Sequence, residues 1–153
     1  MVLLNHHIDN RYSKLKSTNT HYGDGVRAVK LSKLKNFCER YKVTCEFAPV
    51  DVVCIDEAQF FGDLYKSVVE MVETYGLHVI VAGLSGDYKR ENFGEIYKLF
   101  PLADTMVKLD AYCGMCNDGT TAPFTKRISG GGDQVEVGSS DKYVAVCRMC
   151  YLK

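Results

Sequence analysis

Two groups of residues in this chain have the types and the spacing to do chemistry. The first is a pair of Cys-x-x-Cys knuckles, Cys113-Gly114-Met115-Cys116 and Cys147-Arg148-Met149-Cys150. Two intervening residues let both thiolates of a knuckle turn onto one ion, and four sulfur ligands favour zinc in a closed tetrahedral site. Such a site leaves no coordination position for a substrate, so its metal folds the surrounding chain and takes no part in a reaction. Unmetallated thiols or a redox dithiol are the other readings of one pair; two pairs flanking about 30 residues with β-prone stretches favour zinc. Cys38, Cys45 and Cys54 stand alone and read as buried packing.

The second group is Asp56-Glu57, which follows the apolar run Val52-Val53-Cys54-Ile55. An acid at the carboxyl end of a buried strand in a nucleotide-binding α/β fold sits beside phosphates and holds Mg²⁺, and its neighbour is then free to take a proton from a substrate hydroxyl. Any strand can also end in two acids at a solvated turn. Gln59-Phe60-Phe61 comes next, and two aromatic rings past a strand end read either as one wall of a flat-ligand pocket or as ordinary core.

The elements that must position these groups follow from patterning. Val2 to Ile8 reads as a short buried strand, and the polar stretch from Asp9 to Gly25 as a long mobile loop. Leu31, Leu34, Cys38 and Tyr41 recur at helical spacing between Val26 and Tyr41. Lys14, Lys16, Lys30, Lys33 and Lys35 read as a solvated face. Asp51 to Asp56 suggests a strand buried on both faces, as in a parallel sheet. Leu64, Val68, Met71, Val72 and Tyr75 predict a helix capped by Gly76. Leu77 to Ala82 predicts a second buried strand, Ile96 to Phe100 a short helix stopped near Pro101, and Thr105 to Leu109 a third strand. This alternation argues for an α/β layer architecture. Its character changes after Leu109, which divides the chain into an α/β domain over 1–109 and a small metal-braced subdomain over 110–153.

Bulk properties narrow the function. The 153 residues, 46% hydrophobic and 25% charged, suffice for a globular core. Zero formal net charge disfavours a nucleic-acid partner. No apolar run is long enough to span a membrane, and Met1 to Leu4 is too short for an export signal. Seven cysteines, an odd number, with four in metal-type pairs point to a reducing compartment.

Taken together, several segments resemble one family. Ile55-Asp56-Glu57-Ala58-Gln59-Phe60-Phe61 and Ala82-Gly83-Leu84-Ser85-Gly86-Asp87-Tyr88-Lys89-Arg90 are similar to the acidic-strand motif and the following loop of the type II, zinc-containing thymidine kinases. Asn92-Phe93-Gly94, Phe100-Pro101-Leu102-Ala103-Asp104 and Val107-Lys108-Leu109 continue in the same order. Phe124-Thr125-Lys126-Arg127, Val135-Glu136-Val137 and Asp141-Lys142-Tyr143 precede the second knuckle, and Asp9-Asn10-Arg11-Tyr12-Ser13 matches near the start. The resemblance covers nearly the whole chain.

It implies a P-loop-type parallel sheet and a zinc-ribbon-like subdomain carrying a lasso loop. It implies transfer of the γ-phosphoryl group of ATP to the 5′-hydroxyl of thymidine, in deoxynucleotide salvage in the cytoplasm, by a homotetramer. Glu57 would be the general base and Asp56 the Mg²⁺-side carboxylate, with Asp9 and Arg11 near the phosphates. Phe60, Leu84, Tyr88 and Phe93 would wall the thymine ring. Thr125, Val135, Val137, Gly138 and Tyr143 of the lasso would line the base, and Cys113, Cys116, Cys147 and Cys150 would hold structural zinc.

Family members carry a Gly-Lys-Ser or Gly-Lys-Thr loop ahead of the segments matched here, and neither Gly23-Asp24-Gly25 nor Gly130-Gly131-Gly132 has the lysine it needs. From the residues present, the expectation is a thymidine kinase sequence missing its first strand, phosphate loop and helix, inactive and poorly soluble if made alone. The alternative is a non-catalytic remnant that binds or oligomerises with other subunits. Ala58, where glycine is common, Tyr88, where phenylalanine is common, and a one-residue shortening between Val137 and Tyr143 are smaller departures.

Overall fold

A computed structural model of the chain describes residues 1–9, 17–19, 25–44, 50–129, 134 and 142–153. They divide into two compact units, one of Met1–Ser85 with Phe93–Pro101, the other of Gly86–Asn92 with Leu102–Lys153.

The first unit is built on four parallel strands. These are β1 (Val2–His6), β4 (Val29–Leu31), β5 (Val52–Asp56) and β6 (His78–Val81), in the order β4-β1-β5-β6. A short antiparallel hairpin, β2 (Ser17–Asn19) with β3 (Gly25–Arg27), lies between β1 and β4 in sequence. Parallel neighbours need crossover connections. Helix α1 (Lys35–Thr44) joins β4 to β5, and α2 (Leu64–Val69), continued by a wider turn over Glu70–Thr74, joins β5 to β6. Gly76 ends this second crossover with φ +65°, a left-handed conformation that glycine adopts without steric cost. A short α3 (Ile96–Leu99) follows, and its last turn tightens through Phe100–Leu102 across Pro101.

Register explains where the core sits. Val2 is level with Val53, Leu4 with Val29 and Ile55, Val53 with Val79, and Ile55 with Val81. With a period of two along each strand, these residues share one face of the sheet. All of them belong to or pack on one apolar cluster that also takes Leu34, Phe37 and Cys38 of the α1 region, Leu64 and Met71 of the α2 region, and Ile96 and Leu99 of α3. The opposite face carries Cys54, half-buried, and Ile80, 48% exposed.

Several expectations are corrected here. β5 alternates between buried and half-buried positions and β6 between half-buried and exposed ones, instead of being buried on both faces, because the helices feed one cluster on one side. Cys54 is accordingly not fully buried, whereas Cys38 is. The span from Val26 to Tyr41 is not one helix. Val29 and Leu31 form β4 and helix starts at Lys35. Part of the stretch from Asp9 to Gly25 is a hairpin strand. Thr105 to Leu109 forms no strand, and its apolar side chains Met106, Val107 and Leu109 are exposed, since no neighbouring chain pairs with it among the described residues.

The second unit consists of two small antiparallel pairs and a terminal helix. β7 (Ala111–Tyr112) pairs with β8 (Thr121–Ala122), and β9 (Phe124–Arg127) pairs with β10 (Tyr143–Val146). Helix α4 (Arg148–Leu152) closes the chain. Its core is small: Cys113, Ala122, Val146, Cys147 and Cys150, with Phe124, Val144, Ala145 and Tyr151 against them. Among the described residues no helix is long and apolar enough to cross a membrane.

Candidate functional site

Parallel strands deliver their carboxyl ends to one edge of a sheet. In the first unit, Asn5 is level with Asp56 across the β1–β5 pair, so both stand at the carboxyl-end edge of the sheet. Asn5 is fully buried, and its Nδ2 donates to Asp9 Oδ2 at 3.2 Å and lies 3.5 Å from Asp56 Oδ2. One amide therefore spans two carboxylates. Lys30, from neighbouring β4, donates to the Asp9 carbonyl at 2.6 Å and has its ammonium 3.9 Å from the Asp9 carboxylate. Lys30 is thus tied to the acidic cluster, which corrects its reading as part of a solvated face. The Asn5 amide nitrogen thus holds two carboxylates, both hard oxygen donors, on one side of the sheet's edge.

Glu57 follows Asp56 in a left-handed conformation, φ 52° and ψ 40°. Such a conformation costs a residue with a Cβ about 1–2 kcal/mol. Its surroundings over-determine it. Asp56 Oδ1 accepts from the Glu57 N–H at 2.9 Å, and the Glu57 carbonyl accepts from the Phe60 N–H at 3.1 Å, closing a tight turn over Ala58–Phe60. Gln59, buried in that turn, donates through Nε2 to Glu57 Oε2 at 2.6 Å.

The rings of Phe60 and Phe93 meet edge to face with centroids 5.7 Å apart, a favourable quadrupole arrangement. Leu84 exposes 48% of its surface, and its N–H donates to Gln59 Oε1. His6, not foreseen as a site residue, is buried edge-on against Phe61 with centroids 4.7 Å apart. Burial pushes its pKa below the usual histidine value, and the adjacent His7 adds to this. Its Nδ1 accepts from the Ile8 N–H, as a neutral ring does.

In the second unit, the register of β9 and β10 places Thr125 opposite Ala145 and Arg127 opposite Tyr143. Arg127 Nη2 donates to the Tyr143 hydroxyl at 2.6 Å, and its guanidinium lies over the Tyr88 ring at 4.2 Å. Tyr88 belongs to the loop Gly86–Asn92, which is organised by Asp87. Asp87 Oδ1 accepts from the N–H groups of Lys89 and Glu91, and Oδ2 accepts from Gln134 Nε2 at 2.8 Å. Burial alone would raise the Asp87 pKa; these hydrogen bonds outweigh it and hold the carboxyl below its usual value. Tyr151 donates its hydroxyl to the Tyr88 carbonyl and lies under the Arg90 guanidinium at 4.3 Å. Arg11, Val135, Val137 and Gly138 lie outside the described residues.

The four knuckle cysteines converge. Their Sγ atoms all lie within 4.8 Å of one another. Cys116 Sγ is 3.7 Å from that of Cys147 and 3.5 Å from that of Cys150. A tetrahedron with metal–sulfur bonds of about 2.3 Å has edges of about 3.8 Å, so the cysteines fit a metal ion. The Cys147 N–H donates to Cys113 Sγ, and with further N–H groups from Cys116 and Met115 this pulls the Cys113 pKa down to about 6. Hydrogen bonding to Cys150, then to Cys113 and Cys147, pushes Cys116 up to about 12. Cysteines bind a metal as thiolates, so entry of an ion here would release protons. Gly114 lets the knuckle lie against β10: a Cβ there would come 2.7 Å from Val144 Cγ2.

Asn5, Lys30, Gln59 and Arg127 are the residues that sequence reasoning missed as parts of these groups. Strand register is the signal that assembles the first two with the acids.

Comparison with known proteins adds the following. The thymidine kinase family model matches residues 1–151. The chain is 41% identical over 144 residues to thymidine kinase a of Arabidopsis thaliana, covering 94% of this chain and 59% of that protein. It is 42% identical over 144 residues to a thymidine kinase of Oryza sativa subsp. japonica, covering 94% and 52%. It is 38% identical over 145 residues to the cytosolic thymidine kinase of Bos taurus, covering 95% and 56%. The chain therefore spans between half and three-fifths of the length of these relatives.

Proposed function

The chain belongs to the thymidine kinase family, and on that premise we propose that it serves transfer of the γ-phosphoryl group of ATP to the 5′-hydroxyl of thymidine. The observation that carries this reading is the Glu57 carboxylate, held in a left-handed turn at the carboxyl end of β5 beside Asp56. A base at that position accepts the proton of the 5′-hydroxyl as its oxygen bonds to the γ-phosphorus. The bond from that phosphorus to the β,γ-bridging oxygen breaks, and ADP leaves with the electron pair.

Asp56 and Asp9, with Asn5 between them, are the carboxylates we assign to the phosphate side, together with Arg11. Mg²⁺ arriving with ATP would neutralise charge on the phosphate oxygens, and these carboxylates suit it. Arg11 would supply a guanidinium to the charge that develops in transfer. In the first unit, Phe60, Phe93 and Leu84 are assigned to apolar contact with the nucleoside. In the second, Tyr88, Thr125 and Tyr143 are assigned to the base, with Val135, Val137 and Gly138 completing a lasso.

We assign zinc to Cys113, Cys116, Cys147 and Cys150, as a structural ion. A reduced, cytoplasmic setting agrees with these thiols and with the name of the bovine relative, and a role in pyrimidine deoxynucleotide salvage is what the family resemblance suggests. A homotetramer is the assembly that the family resemblance suggests, and light scattering measures it directly. The reading as a whole is tested by Glu57→Gln in a protein that carries a family-type strand, Gly-Lys-Ser loop and helix ahead of these residues, and that extended protein is the parent for every kinetic comparison. This substitution should abolish ATP-dependent thymidine phosphorylation while leaving thymidine binding in place, whereas full activity in that variant would remove Glu57 from the mechanism.

A further inference from the structure

Gln59 is buried, with 4% of its surface exposed, yet its side-chain amide is fully engaged from both ends. Oε1 accepts from the Leu84 N–H at 3.0 Å, and Nε2 donates to Glu57 Oε2 at 2.6 Å. The two bonds fix the amide in one sense. Turning it over would set an amino group against an N–H and a carbonyl against a carboxylate.

The neighbouring backbone comes close to Gln59. A Cβ on Gly83 would stand 2.5 Å from Gln59 Oε1, and one on Gly94 would overlap the Gln59 carbonyl. Gly83 thus lets neighbouring backbone close on this side chain, and Gly94 lets it close on the Gln59 main chain. The carboxylate at the other end belongs to a residue whose backbone is left-handed and whose N–H is held by Asp56. Backbone and side chain of Glu57 are therefore each fixed by a separate partner.

We propose that Gln59 is a positioning residue for Glu57. By donating to Oε2 it sets the plane of the carboxylate and directs proton acceptance to Oε1. The proposal rests on the reading of Glu57 as the base. It implies a role that a merely structural glutamine would lack, since the Leu84 bond alone would satisfy the turn.

Gln59→Glu separates the two roles. The introduced carboxylate keeps the side-chain shape and still accepts from the Leu84 N–H, but it has no proton to donate to Glu57. At neutral pH the variant should lose kcat by about 10²-fold, the scale of a misplaced catalytic group, with KM for thymidine within about threefold of the parent. Activity should recover toward acid pH, where protonation of the new carboxyl restores a donor. Gln59→Met, which neither accepts nor donates, should lose kcat at every pH. Side-chain amide exchange measured by NMR supplies a readout without turnover. The Nε2 protons should be protected in the parent and lose protection in Glu57→Ala. A Gln59→Glu protein with the parent's kcat and pH profile, in a preparation where Glu57→Gln is inactive, would overturn the proposal. Activity retained by Glu57→Gln would instead overturn the underlying assignment of the base.

Discussion

The Arg127 guanidinium donates a 2.6 Å hydrogen bond to the Tyr143 hydroxyl while lying 4.2 Å above the ring of Tyr88. One cation thus orders two aromatic side chains that come from distant parts of the sequence. β9–β10 register brings Arg127 opposite Tyr143, and the loop Gly86–Asn92 brings Tyr88. Tyr88 is half-buried, and a cation over such a ring contributes about 1 kcal/mol, while the hydrogen bond adds direction.

If Tyr88 and Tyr143 hold the base, Arg127→Ala should raise KM for thymidine by about tenfold, with a smaller change in kcat, as expected when ground-state binding is lost. Steady-state kinetics with thymidine varied at saturating ATP measure both. An unchanged KM would show that the two rings need no support from Arg127.

The sulfur cluster makes a separate prediction. Purified protein should carry close to one equivalent of zinc, and Cys147→Ser should lose it together with the fold of the second unit, whose small core is built around these cysteines. Elemental analysis and tryptic digestion report the two effects. Because ligands must be deprotonated to bind, acid should release the ion. Less than about half an equivalent of zinc in the untreated protein would contradict a structural site.

Helix α1 is capped by a residue from outside it. Asp63 accepts from the N–H groups of Leu34 and Lys35 through its two carboxylate oxygens, at 3.2 and 3.0 Å. Asp63→Ala leaves those donors without this acceptor and should cost about 1 kcal/mol. In a chain of this size that lowers the melting temperature by about 2–4 °C. Thermal unfolding followed by circular dichroism would show it, and an unchanged midpoint would mean that solvent replaces the cap at no cost.

Asp87 links stability to pH. Its carboxyl titrates lower in the folded chain than in the unfolded one, so the folded state binds fewer protons in the interval between the two values. The stabilisation is complete above the unfolded value of about 3.9 and is lost as pH falls through the folded value. Asp87→Asn should therefore be less stable than the parent at neutral pH, and the difference should shrink on acidification. Urea unfolding of both proteins at several pH values measures this. A difference that stays constant would assign the effect to packing.

Some of this architecture was legible in the sequence. The apolar run Val52 to Ile55 ending in two acids predicted β5 and its end, and Cys-x-x-Cys spacing predicted the sulfur cluster. Helical spacing from Leu64 to Tyr75 and Gly76 beyond it predicted α2 and its stop. Other parts were hidden for physical reasons. Leu31, Leu34 and Cys38 fit a helical period, but Val29 and Leu31 also fit a period of two, and pairing with β1 decided in favour of a strand. Thr105 to Leu109 has strand propensity without a partner and stays irregular. The involvement of Asn5 and Lys30 depends on which residues stand level in adjacent strands, which no local pattern encodes. Gln59 was visible as part of a motif, but its link to Glu57 needed the left-handed turn between them.

The most direct test of the account is a paired assay of the parent protein, extended by a family-type strand, Gly-Lys-Ser loop and helix, and of the same protein with Glu57→Gln, reading ATP-dependent formation of thymidine monophosphate alongside thymidine binding by calorimetry. The account predicts thymidine binding of similar strength in both proteins and turnover in the variant reduced by about 10²–10⁴-fold, the contribution of a positioned general base. Equal turnover in the two proteins would contradict it.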